Sequence, residues 1–89
     1  MQYFVYTIYD KKVNSYSPPF FVVHPQQAIR SLTQTVNDSE SQIKQFPEDF
    51  ALYSLGTYDD ATGLFTQNTT PQFICEANSL INLGVYEKE

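Results

Sequence analysis

The chain is poor in the residues that most often carry chemistry. Its 89 residues include one cysteine, one histidine and five basic side chains, and no apolar run approaches the roughly 18 residues needed to span a membrane. Each shortage excludes something. Cys75 alone cannot close an intramolecular disulfide, and a secreted domain of this size usually carries two or more bridges, so a reducing cytoplasm is the expected compartment. Cys75 lies in the apolar run Phe73-Ile74-Cys75 and reads as a small buried hydrophobe, not a reactive thiol. Residues 1–9 lack a basic start followed by an apolar stretch, so no signal peptide is expected. A Ser-His or Cys-His pair would have to use His24, which precedes Pro25 at a helix entrance and reads as a capping or packing residue.

Acids are more plentiful, but their arrangement is not that of a catalyst. Glu48-Asp49 and Asp59-Asp60 are adjacent pairs that a general acid and base, or a Mg²⁺ site, could use. Adjacent residues in turns point apart into solvent, and Asp59-Asp60 has reason enough to exist as turn chemistry. There is no zinc-ligand spacing or EF-hand loop, and Gly56 and Gly63 do not make a phosphate-cradling loop. The expectation is a protein with no catalytic residues, metal or cofactor.

What the chain does have is aromatic residues: seven Tyr and seven Phe, within 42% hydrophobic residues overall. That suffices for one thin core, and the chain is less charged than a disordered one. Residues 1–89 form a single domain, with 84–89 expected as a frayed tail. Gln2–Tyr9 reads as a strand with Phe4, Tyr6 and Ile8 on one face and Tyr3, Val5, Thr7 and Tyr9 on the other. Both faces are apolar, which suggests an inner strand or an outer face that something covers. Asp10–Ser17 is a polar connection, and Pro19–Val23 a second short strand, with proline tolerated at its entry. Pro25 opens a helix whose stripe is Ala28, Ile29, Leu32 and Val36, ending near Asn37. Residues 38–46 are polar, and Pro47 stops any continuation. Phe50–Tyr58 is a strand, 59–63 a hairpin turn, Leu64–Gln67 the returning strand and Gln72–Glu76 a further one. Asn78–Leu83 reads as a short helix capped by Asn78 and stopped by Gly84. The expected class is α+β: a small antiparallel sheet of about four strands with one helix across it, in the order β-β-α-β-β plus a short C-terminal helix.

Charge is divided along the chain. Residues 1–37 carry Lys11, Lys12 and Arg30 against Asp10, net +2, and residues 38–89 carry Lys44 and Lys88 against nine acids, net −7. The total of −5 argues against strong non-specific binding to nucleic acid, which depends on neutralising phosphates. The N-terminal half nevertheless combines Lys11, Lys12 and Arg30 with Tyr3, Tyr9 and Tyr16. Rings stack bases of single-stranded nucleic acid while cations hold phosphates. The plainer reading is that Tyr3 and Tyr9 are ordinary sheet residues and Lys11-Lys12 a solvated turn.

Several stretches together resemble one family. They are Tyr6-Thr7-Ile8-Tyr9-Asp10-Lys11-Lys12, Pro19-Phe20-Phe21, Ala28-Ile29-Arg30, Val36-Asn37, and the long segment from Pro47 through Asp60 with Thr62-Gly63. Their order and spacing, over about residues 3–65, resemble the small nonstructural protein of gokushovirus-like microviruses, phages with circular single-stranded DNA. The resemblance implies a DNA-binding or packaging-switch protein of the host bacterial cytoplasm. Such a protein joins the replication complex, stops further duplex synthesis and directs single-stranded DNA into the procapsid. Its implied partners are viral single-stranded DNA and phage replication or procapsid proteins. The alternative is an adaptor or inhibitor that meets only a phage or host protein, and exposed sheet edges suit it to a homodimer.

Overall fold

The computed structural model of the chain describes residues 1–81. Strand β1 (Gln2–Asp10) is followed by β2 (Ser15–Tyr16), β3 (Phe20–Val22), helix α1 (Pro25–Val36), the single turn α2 (Gln42–Gln45), a 3₁₀ turn at Pro47–Asp49, β4 (Phe50–Asp59), β5 (Leu64–Glu76) and a second 3₁₀ turn at Ala77–Leu80. All strands belong to one antiparallel sheet in the order β2-β1-β4-β5, with β3 also paired to β1. The architecture is the expected α+β, a sheet with one main helix laid across one face.

β1 is an inner strand. One of its edges pairs with β4 over its whole length, and the other is shared by β3, against Phe4–Tyr6, and β2, against Tyr9–Asp10. Ser17 fills the gap between those two short partners, where Pro18 and Pro19 have no N–H to donate. The Ser17 amide donates to the Ile8 carbonyl at 2.8 Å, and Ser17 Oγ accepts from the Ile8 amide at 3.1 Å. Its carbonyl accepts from Thr7 Oγ1 at 2.8 Å, which satisfies the fully buried Thr7 hydroxyl.

The core lies between the sheet and α1. Ala28, Leu32 and Val36 of the helix stripe are buried there with Tyr6, Leu52, Ala77 and Leu80, and Phe4, Ile8, Phe20, Phe50 and Cys75 pack against them. Entry into α1 is set by Gln27, whose Oε1 accepts from the backbone amides of Val23 and His24. The chain after α1 is not wholly irregular. Ser41 Oγ accepts from the Lys44 amide at 3.0 Å and so starts the one-turn α2. The last helical piece begins at Ala77, one residue before the expected Asn78 cap, because burial of Ala77 and Leu80 against the core fixes the turn. The expected stop at Gly84 and the tail 84–89 lie outside the described residues.

The two expected strands after the hairpin are one strand, β5, bent in the middle. Gly56 pairs with Gln67 and Ser54 with Gln72, so residues 68–71 lie opposite Leu55 alone. β4 is also irregular against β1, where Val5 pairs with Gly56 and Tyr6 with Ser54, leaving Leu55 as the extra residue. Gly56 makes this possible. Its φ is +140°, and a Cβ there would lie 2.1 Å from the Thr66 carbonyl oxygen.

Candidate functional site

The face of the sheet opposite α1 is lined with rings. Alternation puts Tyr3, Val5, Thr7 and Tyr9 of β1 on this face, and strand pairing brings partners to each. At one end, Tyr9 lies across from Tyr16, with ring centroids 4.6 Å apart. Tyr53 meets both edge-on at 5.8 Å, and Phe73 continues the row 5.8 Å beyond Tyr53. At the other end, Tyr58 lies 6.4 Å from Tyr3, 5.9 Å from Phe21 and 4.8 Å from Phe65. Eight rings thus form two clusters on one surface. Phe65 is 61% exposed, Phe73 51%, Tyr16 46% and Phe21 45%, so much of this aromatic area faces solvent. Rings exposed side by side in this way make this face the candidate interaction surface.

The sequence-predicted rings are therefore brought onto one face, Tyr9 and Tyr16 in one cluster and Tyr3 in the other. The predicted cations are not gathered with them in the same way. Lys11 and Lys12 lie in the turn after β1, at the Tyr9 end of the sheet. Lys11 Nζ is 2.6 Å from Glu76 Oε1 in an exposed ion pair. Lys12 is exposed, its backbone amide held by Asp10 Oδ1 at 3.0 Å. Arg30 is exposed on α1, in the layer that covers the opposite face. Tyr9 also braces the turn itself: its hydroxyl donates to Asn14 Oδ1 at 2.9 Å, and Asn14 holds the left-handed conformation, φ 55°, that closes the turn.

Five rings of this face escaped sequence reasoning: Phe21, Tyr53, Tyr58, Phe65 and Phe73. Tyr53 and Tyr58 are five residues apart, which on a regular strand puts them on opposite faces. The extra residue Leu55 reverses the alternation and brings them together. The available signal is Gly56 in the interior of a strand, a mark of a bulge.

Between the clusters, at the Phe65 end, the bend in β5 opens a cavity of about 250 Å³. Pro19, Leu55 and Phe65 give it apolar walls, and Gln67, Asn68 and Thr69 give it a polar rim. Asn68 Nδ2 donates to the Ser54 carbonyl at 3.0 Å and to Ser54 Oγ at 3.3 Å, which pins the bend to β4.

The Asp59-Asp60 pair has structural uses. Asp59 Oδ1 accepts from the Ala61 amide at 2.9 Å within the hairpin turn. Asp60 Oδ1 lies 2.6 Å from the N-terminal ammonium, whose hydrogen bond holds the Asp60 carboxyl below its usual range. Among the described residues no three His, Cys, Asp or Glu side chains converge as metal ligands. The Cys75 thiol is half-buried, and burial, with Glu76 beside it, pushes its pKa up, away from the thiolate that chemistry would need. No helix among the described residues is long and apolar enough to cross a membrane.

Comparison with known proteins gives a consistent result. The model of the phage ORF5 protein family matches residues 3–80. Protein ORF5 of Chlamydia phage 1 is 36% identical over 69 residues, which cover 73% of this chain and 72% of that protein. No solved structure matches the chain.

Proposed function

This chain belongs to the phage ORF5 protein family, a group of small microvirus-type phage proteins, and we propose that it binds single-stranded DNA during viral replication or packaging, using the aromatic face of its sheet. The observation that carries this reading is the set of eight rings on one open surface, half of them strongly exposed. Every base has a π-face, so such a surface takes bases without regard to sequence, at about 1–3 kcal/mol per stacked base. A sheet carrying exposed aromatics is a physical solution that single-strand-binding domains use repeatedly.

Net charge −5 then has a specific meaning. Few phosphates are neutralised, so affinity comes from stacking and depends weakly on salt. Lys12 is the cation best placed to help, and Lys11 joins it only by leaving Glu76. Each phosphate contact on a single strand contributes a slope of about −0.7 in log K against log salt. Two lysines therefore limit the slope to about −1.4 on that basis.

The decisive experiment is fluorescence anisotropy of a labelled single-stranded oligonucleotide at low and near-physiological salt. Saturable binding that weakens about tenfold in Tyr53→Ala and changes little with salt supports the reading. No binding at low salt sinks it and leaves the second reading, an adaptor with no DNA contact. Two observations favour that alternative: the chain is acidic, and residues 64–75 of the outer strand β5 carry no charge. An uncharged edge of this kind suits pairing with another protein or with a second copy.

A further inference from the structure

We propose that the outer edge of β5 is the seam at which two copies of this chain pair, antiparallel, about a two-fold axis at Thr69. The sheet ends differently on its two sides. On one side, β1 is covered by strands of two and three residues joined through Pro18 and Pro19. Short strands and prolines are how protected edges are built. On the other side, β5 runs for 13 residues and, among the described residues, pairs with β4 alone. No charge guards it, since residues 64–75 hold none. Four of the nine exposed large hydrophobics among the described residues, Leu64, Phe65, Phe73 and Ile74, lie on this one strand. An edge so long, apolar and uncharged is a template for another strand.

The pattern of β5 selects a second copy as that strand. A two-fold interface is self-complementary, so each residue must suit the one it meets across the axis. The two ends of the segment 64–74 mirror each other: Leu64-Phe65-Thr66 at one, Gln72-Phe73-Ile74 at the other. About Thr69, Leu64 meets the partner's Ile74, Phe65 meets the partner's Phe73 and Thr66 meets the partner's Gln72. The bend keeps this register. Thr66 is set by Thr57 and Phe65 by Tyr58, while Gln72 is set by Ser54 and Phe73 by Tyr53. Both arms therefore step away from the bend in the same stride. Pro71, which has no N–H to donate, lies within the bend between them, and Asn68 ties that bend to Ser54. Charge agrees with the choice. Each copy carries −5, and two copies repel wherever their acids meet, but along 64–75 there are none to meet. Phe65 touches Tyr58 and Phe73 touches Tyr53 on the open face. Their pairing across the seam joins the Tyr58 cluster of one copy to the Tyr53 cluster of the other and covers the two most exposed rings of that face.

The seam goes beyond the base-stacking reading and does not depend on it, so the test uses the full chain without DNA. Sedimentation equilibrium over a range of concentrations gives the mass, and twice the chain mass is expected at the upper end. Two double variants at the exposed positions Thr66 and Gln72 test the register. Thr66→Lys with Gln72→Lys sets like charges directly opposite each other at both ends of the seam. Thr66→Lys with Gln72→Glu sets opposite charges there. The first should dimerise about tenfold more weakly than the second, because each cross-strand charge contrast occurs twice per dimer. The unmodified chain decides the dimer whether or not either variant folds. A chain that stays single at every concentration overturns the proposal and leaves the edge to another protein or to residues 82–89. Equal dimerisation of the two variants also overturns it, by placing the contact elsewhere than this register. Both of these outcomes leave base stacking to its own anisotropy test.

Discussion

Tyr9 of β1 and Tyr16 of β2 are direct cross-strand partners, and their rings lie 4.6 Å apart, the closest pair on the open face. This ring contact and the Tyr9 hydroxyl bond to Asn14 join the Ser17 bonds to Ile8 and Thr7, and the Lys11 amide bond to the Asp49 carbonyl at 2.8 Å, in holding the turn and β2 in place. Tyr16→Ala should cost about 1 kcal/mol of stability, the size of an aromatic pair contribution. If the face stacks bases, the same change should weaken single-strand binding about tenfold, since it removes one ring. Urea denaturation and anisotropy measure the two effects separately. A loss of stability with unchanged DNA affinity would confine Tyr16 to a structural part.

Lys11 and Lys12 allow a different test. The exposed Lys11–Glu76 pair should contribute under about 1 kcal/mol, so Lys11→Ala should leave the fold nearly unchanged. If phosphates are held at this turn, changing both lysines to alanine should lower affinity equally for all sequences and flatten the salt slope. Unaltered affinity in the double variant would move the phosphate contacts elsewhere.

Gly56 should tolerate nothing larger. In Gly56→Ala the new Cβ meets the Thr66 carbonyl at 2.1 Å, in a backbone conformation that side chains rarely adopt. The expected loss is about 3 kcal/mol, the upper range for strain and crowding at one position. Leu52→Ala, at a fully buried site in the core, should cost a similar amount by leaving a cavity, about 2–5 kcal/mol. The two differ in what else they change. Gly56→Ala should also disturb the register of β5, visible as amide shifts from Thr66 to Gln72, whereas Leu52→Ala should not.

The pH dependence of stability has an identifiable acid-side source. The N-terminal ammonium lowers the Asp60 carboxyl below its ordinary value, with Tyr3 adding to the effect. A lowered carboxyl stabilises the fold above its unfolded-state value, and that contribution disappears as pH falls through the folded-state value. Asp60 in turn raises the ammonium, whose contribution is present below the ordinary amine value and disappears as pH rises through the raised one. Stability should therefore decline in both directions away from neutrality, and Asp60→Asn should flatten both limbs. Urea midpoints across the range, with and without the substitution, give the comparison. Both groups are fully exposed, so the change should be small.

The fold was readable because its local rules agree. The Ala28–Val36 stripe, Pro25 at the helix start and the 59–63 turn each follow from one short-range preference. The same alternation placed Tyr3 and Tyr9 on one face of β1. What could not be read was the surface as a whole, because it depends on pairing between distant segments. Phe73 reaches Tyr53 only through the β4–β5 register, and that register changes where 68–71 lie opposite Leu55. A period of two carries no information across such a break. The fate of the cations is hidden for the same reason: Lys11 and Glu76 are 65 residues apart in sequence.

The aromatic face also has an optical consequence. The chain contains no tryptophan, so its near-ultraviolet emission comes from tyrosine. Five of the seven tyrosines, Tyr3, Tyr9, Tyr16, Tyr53 and Tyr58, lie in the two ring clusters. Whatever settles on that surface changes the environment of most of the emitters at once, so the protein carries its own unlabelled reporter of occupancy.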